Sequence, residues 1–234
     1  MFRREESRTL VAAGVAAALV LAVQTSGVAD VITFMRITND AQVDVASQMW
    51  AILSSVDATH VQFEFHNLAV VPSSITDIYF DDGGANGPGL LAGITSITDH
   101  GTFYEVGASP HSLPAGHGLD PIFLADFSAQ SDSSPGGTLA NGVNNSTDYV
   151  DLTFALNAPN TYDDVLAARD GGALRLGLHV QGISWMGGDA SDSFVSTEVV
   201  LEPSTLVVPE PSTLFLAGTC ALGFLGFMRR RNIG

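Results

Sequence analysis

"VQFEFHNLAV", residues 61–70, decides the fold class. In an extended chain Val61, Phe63 and Phe65 fall on one side, and Gln62, Glu64 and His66 fall on the other. That period of two belongs to a strand with one face in a core and one in water. "YVDLTFAL" (149–156) repeats it with Val150, Leu152, Phe154 and Leu156 inward, and "ALRLGLHVQGI" (173–183) sets Leu174, Leu176, Leu178 and Val180 against Arg175, His179 and Gln181. Further strands are expected in "QMWAILSSV" (48–56), "ITDIYFD" (75–81), "GTFYEV" (101–106), "DPIFLADFSA" (120–129) and "DSFVSTEVV" (192–200).

Between these runs lie "DDGGANGPG" (81–89), "SPHSLPAGHG" (109–118), "SDSSPGGTLANGVNNS" (131–146) and "MGGDASDS" (186–193). All are dense in the residues that supply turn geometries. Many short strands separated by turns predict an all-β chain, an antiparallel β-sandwich or jelly roll. One short helix interrupts it, with Thr161 as N-cap, Asp163 and Asp164 in the first turn, "VLAAR" as its body and Gly171 at its end.

Charge is distributed in three zones. All nine basic residues are arginine, and six stand at the ends: Arg3, Arg4 and Arg8, then Arg229, Arg230 and Arg231. From Asp30 to Val208 three arginines face 22 acidic residues, so the middle is more acidic than the whole chain's net −16. Such a surface repels phosphate backbones and anionic headgroups, which argues against nucleic-acid binding. The single cysteine, Cys220, lies near the C-terminus, so the middle cannot form an internal disulfide.

Both ends read as addresses. The first carries basic residues, an apolar stretch from Leu10 to Val23, and small residues Gly27 and Ala29 where a signal peptidase reads. A signal peptide over 1–29 with cleavage after Ala29 is expected, the alternative being a retained anchor. At the other end Thr213 to Met228 is 16 residues without a charge. As a helix it covers about 24 Å, short of a hydrocarbon core of roughly 30 Å. The arginine triplet behind it acts as a stop-transfer group that stays cytoplasmic. The prolines at 209 and 211 disfavour both helix and ladder pairing, leaving an extended peptide at the membrane face.

In order, the Pro209-Glu210-Pro211 tripeptide, a glycine-containing apolar segment and Arg229 to Arg231 resemble the PEP-CTERM sorting signal. The resemblance implies an exported protein that is transiently membrane-anchored, cut near Pro209 to Pro211 by an exosortase, and left at the cell surface or in the extracellular matrix of a Gram-negative bacterium that makes exopolysaccharide. The alternative is a permanent C-terminal anchor. The "YFDDG" turn (79–83) and the block from Gly172 to Val195 also resemble a recurrent ectodomain of such proteins, which brings no activity with it. The organisation expected is thus a signal peptide (1–29), a β-sandwich ectodomain (30–203) and a sorting segment (204–234).

No catalytic constellation stands out. There is no G-x-S-x-G elbow, and His111 and His117 match no zinc spacing, so the six histidines read as polar strand faces or loop caps. Loop carboxylates offer two readings. Asp81, Asp82, Asp189 and Asp192, with Asp126 and Asp132, could converge on calcium, or they could simply favour turns. Carboxylate-based glycoside hydrolysis needs a separation that sequence does not display. Trp50 and Trp185 sit in apolar runs and are expected in the core. The function expected is a non-enzymatic surface or matrix protein associated with exopolysaccharide; a calcium- or carbohydrate-binding module is the alternative, and a hydrolase a third reading.

Overall fold

The computed structural model describes residues 30–83, 89–184 and 190–197. Ten strands and one helix follow in chain order: β1 (Asp30–Arg36), β2 (Met49–Asp57), β3 (His60–Asn67), β4 (Ser74–Asp81), β5 (Leu91–His100), β6 (Tyr104–Val106), β7 (Phe127–Ser131), β8 (Tyr149–Leu156), α1 (Tyr162–Asp170), β9 (Arg175–Ile183) and β10 (Ala190–Ser196). The strands pair in the order β5-β8-β3-β2-β1-β10-β9-β4-β7-β6, every pairing antiparallel.

Strand β1 turns this ribbon into a sandwich. Its first half, Asp30 to Thr33, pairs with Leu53 to Trp50 of β2. Its second half, Phe34 to Arg36, pairs with Ser196 to Phe194 of β10. One strand therefore belongs to two sheets, the corner device of folded-over β structures. The first sheet is β5-β8-β3-β2-β1 and the second is β1-β10-β9-β4-β7-β6.

The residues expected inward are inward. Val61, Phe63, Phe65, Val150, Leu152, Phe154, Leu176, Leu178 and Val180 are all buried in one core. At its centre Phe63, Phe80 and Phe154 meet edge-on or tilted, with ring centroids 4.6–5.8 Å apart, a favoured aromatic arrangement. The helix forms as read: the Asp164 carboxylate accepts from the Thr161 N–H and hydroxyl, both at 2.8 Å. It closes one end of the sandwich by inserting Val165 into the core. Its Arg169 holds the Asp30 carboxylate at 3.3 Å, tying the first described residue to the helix.

Some segments depart from the expectation. "DPIFLADFSA" yields a strand only from Phe127; Pro121 offers no N–H, and residues 107–126 instead cover the outer face of the second sheet. Phe123 is fully buried there with Tyr79, Leu113 and Val195 in a second, smaller core. Gly177 makes room for this layer, since a Cβ at that position would lie 2.8 Å from Leu113 Cδ2. Strands β1 and β5 were not among the expected runs. In β1 the outward Val31 and Met35 are apolar and hide the alternation. In β5 only Leu91 is buried, and two register shifts break the period.

Candidate functional site

Two constellations stand on the sandwich, one on each outer face. On the first sheet the register aligns Trp50 of β2, His66 of β3, Tyr149 of β8 and His100 of β5 in one row across four strands. Because neighbouring strands lie about 4.8 Å apart, aligned rings on one face stack. Trp50 and His66 are 4.8 Å apart at 10°, His66 and Tyr149 5.4 Å at 25°, and Tyr149 and His100 3.9 Å at 12°. The rings thus cover each other's faces and turn their edges outward.

A second row lies directly beneath, where Glu64 and Asp151 pair across β3 and β8. Glu64 bonds His66 Nε2 at 2.5 Å and Asp151 bonds His100 Nε2 at 3.3 Å, which orients both imidazoles. Burial, joined by the charge of Glu64, raises the Asp151 carboxyl above its ordinary range; Gln62 and His100 oppose it. Asp151 Oδ1 has no hydrogen-bond partner. Beyond Trp50 the row continues onto Thr33 of β1 and Thr197, whose exposed hydroxyls bond each other at 2.8 Å.

The other constellation is largely buried, its histidine keeping 14% of its side chain exposed. Asp77 of β4, His179 of β9 and Ser193 of β10 are register partners on the second sheet. His179 Nδ1 meets Asp77 Oδ2 at 3.0 Å, and Thr76 Oγ1 donates to the same oxygen at 3.0 Å. The order resembles an acid–base relay, which needs its nucleophile within hydrogen-bond reach of the base. Ser193 Oγ makes no such bond, and the residue is 1% exposed. What the row does is secure the interior: Gln181 donates to Thr76 Oγ1 and to the Gly136 carbonyl, pinning the 131–146 loop.

The acidic residues considered as calcium ligands are dispersed. Asp81 is ion-paired to Arg175 and accepts from the Leu124 and Gly83 amides. Asp82 accepts from Leu91 N at 2.9 Å, and its own N–H donates to Asp126. Asp192 is buried near the other end of the same sheet, where it accepts from Thr38 Oγ1, Asp40 N and Ala41 N and pairs with Arg36 at 3.1 Å. Asp132 serves its own turn, accepting from Ser133 N and Asn141 Nδ2. Asp189 lies outside the described residues, and among those described no three potential ligands gather around one point.

A groove of about 470 Å³ opens where α1 ends beside β9 and β10, with Arg169 and Arg175 in its wall. Both guanidinium groups are already committed, Arg169 to Asp30 and Asp170 and Arg175 to Asp81 and two carbonyls.

Trp50 corrects the expectation of a core residue. Met49, Ala51 and Leu53 take the inward phase of β2, which puts Trp50 outside and half-buried. Tyr79 and Tyr104 are buried and spend their hydroxyls on the carbonyls of Pro110 and Ile75, so neither is a surface platform. Trp185 lies outside the described residues. So do Gly27, Ala29, Pro209, Glu210, Pro211, Arg229, Arg230 and Arg231. Among the described residues no helix is long and apolar enough to cross a membrane.

Residues 207–231 match the model of the PEP-CTERM protein-sorting motif. The chain carries a PEP-CTERM sorting signal. It is an exported protein of the kind that exosortases process, with a β-sandwich ahead of the signal. No curated protein and no solved structure matches the chain.

Proposed function

We propose that this is a non-enzymatic protein of the cell surface or extracellular matrix, released from its membrane anchor by an exosortase and held in place by exopolysaccharide. The observation that carries the reading is the order of parts: a sorting signal at 207–231 directly behind an acidic sandwich whose last strand ends at Ser196. Asp81 and Asp192 are each ion-paired to an arginine, so neither supports the calcium reading.

Mass spectrometry of the protein from its native host tests processing. A mature chain from Asp30 to about Val208 is expected; Arg229 to Arg231 retained in the surface pool would establish a permanent anchor instead. Fractionation tests location: the mature protein should sediment with the polysaccharide matrix and be freed when the polymer is digested. Protein that stays in the cell envelope, or in the supernatant without polymer, overturns the proposal.

A further inference from the structure

We infer that the row formed by His100, Tyr149, His66 and Trp50, continued by Thr33 and Thr197, is the surface that takes a polysaccharide chain lying across the strands. The inference rests on the matrix association proposed above and names the site and the class of polymer. Stacking commits the ring faces, but the edges stay available. Among the described residues the Trp50 indole N–H and the Tyr149 hydroxyl make no hydrogen bond to the protein. Nor does His66 Nδ1 or His100 Nδ1, because each imidazole spends only Nε2 on a carboxylate. His100 keeps 35% of its side chain exposed and His66 keeps 16%.

Tips that can donate or accept therefore recur once per strand, about every 4.8 Å. That interval is close to the length of one pyranose residue, so a chain crossing the strands meets one polar tip per sugar. Paired hydroxyls of Thr33 and Thr197 extend the line by two positions. Charge selects among polymers. With Glu64 and Asp151 in the site and an acidic body around it, a uronate polymer is repelled, whereas an uncharged or amino-bearing polysaccharide is accepted.

Affinity electrophoresis tests this with the 30–208 chain as it occurs after processing, in gels containing host exopolysaccharide, a soluble β-glucan, chitosan or alginate. Retardation is expected in host polymer and in the β-glucan or chitosan gel, but not in alginate. The double variant Trp50→Ala, Tyr149→Ala should lose at least tenfold in affinity, and His100→Gln, at the sheet edge, severalfold. Circular dichroism and melting check that each variant is folded; if the double variant is not, His100→Gln and Thr33→Val decide. Undiminished retardation of folded variants overturns the site while leaving matrix association standing. Retardation by alginate alone overturns the charge argument. A parent chain that binds no polymer, host exopolysaccharide included, refutes the site and the matrix association together, whereas matrix sedimentation with no effect of the variants refutes only the site.

Discussion

The two outer faces of the sandwich start from the same alternation and end differently. On the second sheet, residues 107–126 fold over Tyr79 and Val195, which with Leu113 and Phe123 form a second interior. On the first sheet, nothing in the described chain covers β3 and β8, and apart from Ala155 their outward side chains are polar or aromatic. Asp77 is wholly buried and its Oδ2 is spent on His179 and Thr76, whereas the Trp50 indole and the Tyr149 hydroxyl of the other row make no hydrogen bond to the protein. His179 and His66 are about equally exposed, and what separates them is the partner: a fully buried Asp77 for His179 and the part-exposed Glu64 for His66.

The sharpest way to break this contrast is to remove the cover. Phe123→Ala deletes a fully buried ring that also carries the Arg175 guanidinium 5.3 Å above it, and should cost about 3–5 kcal/mol in chemical denaturation. Gly177→Ala pushes a methyl group against Leu113 and Phe123 and should cost about 1–3 kcal/mol, with protease sensitivity appearing first within 107–126. A loss confined to a few tenths in either variant would show that the covering layer is not part of the cooperative unit.

Changes on the open face should be milder. Trp50→Ala removes one stacked neighbour of a half-buried row and should cost under about 1.5 kcal/mol. Asp151→Asn should go the other way. Burial raises this carboxyl, so the folded state holds its proton more tightly than the unfolded state, and ionisation costs stability as pH rises through the raised value. Solvent screens the effect, so the variant should gain less than about 1 kcal/mol at pH 7. The gain should vanish once the pH falls below the carboxylate range; a gain that grows in acid would contradict the cause given.

The contrast also shows what a sequence displays. The inward phase of β3, β8 and β9 was legible because Phe63, Leu152 and Leu178 alternate with polar neighbours, and α1 because Thr161 and Asp164 form its start. The row of rings was not, although each member stands at an outward position. Trp50, His66, Tyr149 and His100 become neighbours only through the pairing of β2, β3, β8 and β5, and long-range register is absent from local pattern. Residues 120–126 misled for the opposite reason: Ile122 and Phe123 look like strand residues, yet Phe123 is a lid over another sheet and Ile122 stays exposed. The sorting motif at 207–231 was legible, since its parts are contiguous and their order is the signal.

Strand β1 has a consequence for timing. It leads the described chain but finds its second neighbour, β10, only after nearly all of that chain has followed, and β10 ends eleven residues before the tail match opens at 207. Until those final residues cross, the two sheets lack their shared seam. The sandwich therefore closes only once the chain leading up to the sorting signal is available, so an enzyme that acts on that signal meets a finished domain. Truncation before Ser193 should leave a chain that proteases digest throughout.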